Sequence, residues 1–249
     1  MIEARESEQS AVTQSSYSMH PVVHRWISHI QDDAGKRVFL RLAVMLIGFS
    51  VPHHTTKNYW VLQQRLLPHA ERCLWWMGEL EGGECNIEDI TIGHATYSLG
   101  NLYSDQGRLE EAETMYQRAL EGYEKALGPD HTSTLDTVNN LGLLYKTQGR
   151  LKEAETMYQR ALEGKEKALG PDHTSTLRTV HNLGNLYKTQ GRLNEAEVMY
   201  QRALSGYSAA LGSSHAKSLL VVKNIASLQF VKGSLSLQEL IVKFANIYN

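Results

Sequence analysis

The sequence predicts an all-α protein: a solenoid of about three to four helix pairs behind a helical N-terminal segment. Three observations carry this. Gly100–Leu141 and Gly142–Leu183 align without a gap over 42 residues and match at 35 of them. Gly184–Ile225 repeats the unit a third time, with 26 of 42 positions matching the second copy, and a degenerate fourth copy starts at Ala226. Within each unit apolar residues recur at steps of three and four, and Gly107, Gly149, Gly191 and Gly233 punctuate the same place.

In chain order, Met1–Ser16 is acidic and Ser/Gln-rich, and is expected to be a disordered leader. Residues 17–80 are not repetitive and read as helical. The most apolar run, Val38–Val51, is about 14 residues long and contains Arg41, short of the roughly 20 that a membrane span needs, so it predicts a buried helix. Tyr59–Leu74 follows. Units are expected at 90–131, 132–173 and 174–215, with a capping remnant at 216–249. In the second unit the first helix spans Ser133–Thr147, with Thr132 or Ser133 as its cap, and Gln148-Gly149 stops it. The second helix spans Leu151–Leu169, burying Ala154, Met157, Tyr158, Ala161 and Leu162. Gly170-Pro171 ends it. One such pair cannot bury its stripe alone, and stacking does so.

The differences between the copies mark a candidate surface. With Gly100 and Gly142 as position 8, five of the seven mismatched pairs fall at positions 2, 5, 9, 12 and 13. These share one stripe of a helix. The framework is copied and one face is rewritten, as a binding surface requires. Glu111, Glu113 and Gln117, exposed by the same reasoning, do not vary.

Gly142, Tyr145, Ala154, Tyr158 and Ala161 stand at tetratricopeptide (TPR) signature spacing. The 42-residue period, the LY-x-x-x-GR-x-x-EAE-x-MYQRAL core and the ALG-x-x-H ending resemble the long repeats of kinesin light chains over roughly residues 90–233. The resemblance implies a right-handed TPR superhelix in which the first helix of each pair lines a ligand groove. It departs in the fourth unit, where Ala226 and Gln229 replace Gly and Tyr. The implied groove residues are Tyr97, Asn101, Asp136, Asn139, Asn140, Leu143, Lys146, Arg178, His181, Asn182, Asn185, Lys188 and Lys223. Lys146, Arg178, Lys188 and Lys223 make it basic, with His181 titratable near neutrality. Asn140 and Asn182 can hold a peptide backbone, or can bridge adjacent helices. Leu143 and Tyr97 offer an apolar anchor. The expected partner is an extended protein or peptide segment with acidic groups. A carboxylate clamp is not expected, because Tyr97 and Asn182 stand where its basic residues belong.

MHPVVHRW (Met19–Trp26) and YWVLQQRLLPHAERCL (Tyr59–Leu74) resemble the segment joining the nucleotide-binding module to the repeats in fungal NB-ARC/NACHT–TPR proteins of the STAND class. This implies an alternative role, the sensor or regulatory part of such a receptor. No G-x-x-x-x-G-K-[ST] loop occurs, so nucleotide binding is not carried over.

Catalysis is not expected, since G-x-S-x-G, H-E-x-x-H and metal-spaced Cys/His sets are all missing. No cofactor or metal is implied, and His20 and His24 lack a ligating neighbour. Net charge is −2, which points away from nucleic acid. No membrane association is expected. The two cysteines, Cys73 and Cys85, read as free thiols of a cytoplasmic protein. Leu235, Leu237, Leu240, Ile241 and Phe244 leave room for weak self-association through the C-terminal helix.

Overall fold

The computed structural model describes residues 32–52, 56–79, 90–236 and 238–239. The leader, His20, His24, MHPVVHRW, His53, His54, Cys85, Leu237, Leu240, Ile241 and Phe244 lie outside them. The described residues form nine helices and no strand. They are α1 (Asp33–Ser50), α2 (Tyr59–Glu79), α3 (Ile90–Asp105), α4 (Leu109–Leu127), α5 (Thr132–Thr147), α6 (Leu151–Leu169), α7 (Thr174–Thr189), α8 (Leu193–Leu211) and α9 (Ala216–Val231). Two compact units divide the chain at Ala126/Leu127.

In the first unit α1 packs on α2 and α3. The approach of α1 to α3 is close, because a Cβ on Gly48 would lie 2.6 Å from the Ala95 backbone. Val38–Val51 was expected to be buried, and only half of it is. Leu40, Ala43, Val44 and Ile47 face inward, while Val38, Leu42, Leu46 and Phe49 are exposed at 48–60%. The run is apolar around its circumference, but its neighbours cover one side.

Helix α2 continues the 42-residue register in a form the sequence reading missed. Its buried Ala70, Cys73 and Met77 precede the buried Ala112, Met115 and Ala119 of α4 by 42 residues each. Glu71 likewise precedes Glu113, Glu155 and Glu197. It receives an ion pair from Arg108, as Glu155 does from Arg192 at 2.7 Å and Glu197 from Lys232 at 2.6 Å. Its Gly and Tyr punctuation is gone, and only the buried spacing and the acid remain. The Cys73 thiol is free and pushed up to about 12 by burial.

In the second unit contacts run in sequence from α5 through α9, and α5 also touches α7. Each pair interlocks a glycine with a tyrosine: a Cβ on Gly142 would come 2.8 Å from the Tyr158 ring, and one on Gly184 2.8 Å from Tyr200. In the first unit Gly100 faces Tyr116 in the same way. The stops are as expected. Gly149 has φ +78°, and Arg150 N–H returns to Tyr145 O at 2.8 Å. The caps are not. His131, not Thr132 or Ser133, caps α5: its Nδ1 accepts from Ser133 N–H at 3.2 Å. His173 and His215 cap α7 and α9 identically. Thr134 Oγ1 instead donates back to Gly128 O at 2.8 Å, locking the preceding helix end to the new start. This explains the invariant His in the ALG-x-x-H ending.

Candidate peptide-binding face

The thirteen candidate residues lie on the first helices of the pairs. Tyr97 and Asn101 belong to α3 of the first unit and the other eleven to α5, α7 and α9 of the second. On α3, Tyr97 stands 5.9 Å from the Tyr116 ring, and Asn101 Oδ1 accepts from Tyr116 OH at 2.7 Å.

Positions 2 and 5 of the stripe turn out to join helices. Asp136 accepts from Lys165 and from Arg178, each at 2.7 Å, and from Ser175 Oγ at 3.3 Å. Lys165 on α6 is fully buried. Burial raises the Asp136 carboxyl, but Lys165, Arg178 and Ser175 more than offset it and hold it below the usual range. Burial also holds the Lys165 ammonium below its ordinary value, against the pull of Asp136. In the other pairs this place holds Tyr123, bonded to His94 Nδ1 at 2.8 Å, or Tyr207. The differences Tyr123/Lys165 and Asp136/Arg178 therefore belong to one charge arrangement. Arg178, expected to meet a ligand, is committed to Asp136.

Asn139 is buried rather than displayed, and its Oδ1 accepts from Thr179 Oγ1 at 3.1 Å and Asn182 Nδ2 at 3.2 Å. His181 is also buried, and Asn224 Nδ2 bonds its Nε2 at 2.6 Å. Position 5 of one unit thus ties to position 6 of the next, the helix-bridging use of asparagine. His181 does not titrate near neutrality. Burial, reinforced by the Lys146 charge, brings its pKa down to about 4. At neutral pH the unprotonated Nε2 is the acceptor for Asn224.

Positions 9 and 12 do face outward. Asn185 Oδ1 accepts from Tyr200 OH at 2.7 Å and Asn224 Nδ2 at 3.2 Å. Leu143 replaces asparagine at this place and is 46% exposed. Beneath it the buried Tyr158 OH has no hydrogen-bond partner. Lys146 is half-buried and makes no hydrogen bond or ion pair among the described residues, and Lys188 Nζ donates to Ser227 Oγ at 2.7 Å. Burial and the Lys188 charge push the Lys146 ammonium down, which sets the two lysines as mutually repelling neighbours. Lys223 is exposed on α9, and Asn140 accepts from Asn139 Nδ2 at 3.4 Å.

Sequence reasoning gave no part in the face to Lys165, Tyr158 and Tyr200. The Tyr123/Lys165 mismatch signalled the first, but it lay off the stripe. Among the described residues no cluster of His, Cys, Asp and Glu could hold a metal ion, and no helix is long and apolar enough to cross a membrane.

The family model described as tetratricopeptide repeat matches residues 92–167 and 139–209. The repeats are tetratricopeptide repeats. TPR arrays are a non-catalytic protein-interaction fold, and TPR proteins generally bind protein partners. Among solved structures, a Podosopora anserina protein assigned as a kinesin light chain, with nearly identical TPR-like repeats, is 20% identical. That match covers 88% of this chain and 97% of the other, with a TM-score of 0.62. BtubC (BKLC) from P. vanneervenii is 19% identical over 94% of this chain and 87% of its own, with a TM-score of 0.59. A Signal Transduction ATPase with Numerous Domains (STAND) protein with a TPR sensor, from Pyrococcus horikoshii, is 12% identical, with a TM-score of 0.53. It covers 92% of this chain but 38% of its own. At these identities the likeness is one of fold. No curated protein sequence matches the chain.

Proposed function

We propose that the outward face of α5, α7 and α9 binds an extended protein segment carrying acidic groups, and that the chain acts as an interaction scaffold. One observation carries the reading: Lys146 and Lys188 are neighbouring cations, and neither forms an ion pair among the described residues. Elsewhere on these repeats Arg150, Arg178, Arg192, Arg202 and Lys232 each pair with a carboxylate, Arg178 sharing Asp136 with Lys165. Two like charges left facing each other cost stability, which an anionic ligand returns. Leu143 adds an apolar contact, and Asn140, Asn182 and Lys223 border the same face. Tyr97 and Asn101 occupy the corresponding face of α3. The test is recovery of partners from cytosol by the intact chain and by Lys146→Glu/Lys188→Glu, read by mass spectrometry. Arg178 is left unchanged, since altering it would disturb Asp136. Proteins with acidic stretches lost only from the variant are expected, and equal recovery by both would refute the reading.

A second reading, a sensor arm working with a nucleotide-binding chain, is favoured by the exposed apolar stripe of α1 and by the fold likeness to a STAND sensor. It predicts that Leu42→Glu/Leu46→Glu, rather than the lysine variant, loses the partner.

A further inference from the structure

We propose that the salt bridges from Lys165 and Arg178 to Asp136 set the order in which the repeats pair: they let α6 dock only on α5, and α5 only beside α7, among helices whose apolar faces are interchangeable.

The need for such a device is written in the sequence. Gly100–Leu141 and Gly142–Leu183 share 35 of 42 positions, and the residues that hold a helix pair together are among the shared ones. Ala112, Ala154 and Ala196 are all buried, as are Tyr116, Tyr158 and Tyr200. The three tyrosines close on Gly100, Gly142 and Gly184 in the same way. Apolar packing therefore fits α5 to α8, or α7 to α6, about as well as it fits the native pairs, and near-equal alternatives trap a folding chain. Repeat arrays also nucleate at more than one place, and wrong assembly is their characteristic failure.

Charge separates the alternatives. Position 2 of the four first helices reads His94, Asp136, Arg178 and Leu220. Asp136 alone is an acid. The residue that α6 brings to this place is Lys165, fully buried, with its Nζ 2.7 Å from Asp136 and 3.3 Å from Thr179 Oγ1. Docked on α7 instead, the buried ammonium would meet Arg178, and on α3 or α9 it would meet no carboxylate. Stranding a buried charge in this way is strongly destabilising. Asp136 is matched on its other side too. Arg178 Nη2 at 2.7 Å and Ser175 Oγ at 3.3 Å both come from α7. A second α5 in that place would set one Asp136 against another.

Filling the space does not call for the charge. Tyr123 and Tyr207 are buried at the equivalent place on α4 and α8, and Tyr123 makes a neutral bond to His94 Nδ1 at 2.8 Å. A buried ion pair seldom outperforms a packed neutral one in stability, and its best-attested use is to fix register. Two of the seven differences between the copies, Tyr123/Lys165 and Asp136/Arg178, meet in this single contact.

The test unfolds the intact chain in urea and returns it to buffer at rising chain concentrations. The readout is the fraction that regains the state held before unfolding. Size-exclusion chromatography reports wrong pairing between chains, and the backbone amide NMR spectrum reports it within one. Asp136→His/Lys165→Tyr copies the His94–Tyr123 pair and removes the discrimination. Lys165→Tyr does the same with Asp136 still held by Arg178, and supplies a folded variant should the double one fail to fold. Gly142→Ala weakens a helix pair without touching the charges. The wild-type chain and Gly142→Ala are expected to return completely at every concentration. The tyrosine variants are expected to return severalfold less, and less still as concentration rises. A tyrosine variant that returns as completely as wild type overturns the proposal. So does a loss in Gly142→Ala as large as theirs, which would make low stability the cause rather than lost register.

Discussion

The neutral imidazole of His181 ties acid sensitivity to the joint between α7 and α9. Its pKa falls from 6.5 to about 4 on folding, so the unfolded chain takes up a proton at higher pH than the folded one. The stabilisation is complete above pH 6.5 and is lost as pH falls from there through about 4. It amounts to about 3 kcal/mol across that window. Asn139, which accepts from Asn182 in the preceding joint, shows the substitute. His181→Asn is expected to hold its stability at pH 7 and to flatten the decline between pH 6.5 and 4, measured by urea unfolding at a series of pH values. An unchanged slope would mean that another group senses the acid. A second residue-scale prediction concerns the unpartnered Tyr158 hydroxyl. Leu143→Asn supplies the acceptor that Asn101 and Asn185 give their tyrosines, and is expected to add about 1 kcal/mol of stability in urea. No gain would show that the hydroxyl is satisfied otherwise. That the chain keeps Leu143 despite this cost fits a surface selected for contact.

At the scale of helices, two kinds of contact join the repeats. One is the glycine–tyrosine interlock. Gly142→Ala would press a methyl group to 2.8 Å from the Tyr158 ring, which cannot swing aside as a long flexible chain can. A loss of about 1–3 kcal/mol is expected in thermal or urea unfolding, and a neutral effect would mean that α5 and α6 separate easily. The other is the buried charge on Lys165. Asp136→Ala strands it beside Arg178 and is expected to cost about 3 kcal/mol or more, while Asp136→His with Lys165→Tyr, copying the His94–Tyr123 pair, should restore most of that loss. The helices, their glycine stops and the 42-residue register were legible because each follows from spacing along a single strand of sequence. The histidine caps were not, because Thr132 and Ser133 are the better intrinsic caps and the winning contact depends on how the loop turns. The stripe was legible only as a stripe. Positions 2 and 5 were read with positions 9 and 12 as one surface, yet neighbouring helices cover Asn139 and His181. Periodicity gives the face of a helix but not how far its neighbour overlaps it. The repeat register of helix α2 escaped notice because the residues that announce a repeat were replaced while its buried spacing persisted.

At the scale of the molecule, the second unit is a succession of helices in contact chiefly with the next, so local surfaces can change without disturbing distant packing. This is why a nearly exact copy could acquire a lysine pair, a leucine and a buried salt bridge and keep its fold. We propose that ligand recognition lies on the α5–α7 face and that its chemistry is anionic. The most direct measurement is binding of the intact chain and of Lys146→Gln/Lys188→Gln to an array of randomised peptides that includes phosphoserine. The account predicts that the wild-type chain selects peptides rich in Asp, Glu or phosphoserine and that the double variant loses them. Selection of neutral or basic peptides, or equal selection by the double variant, would contradict it.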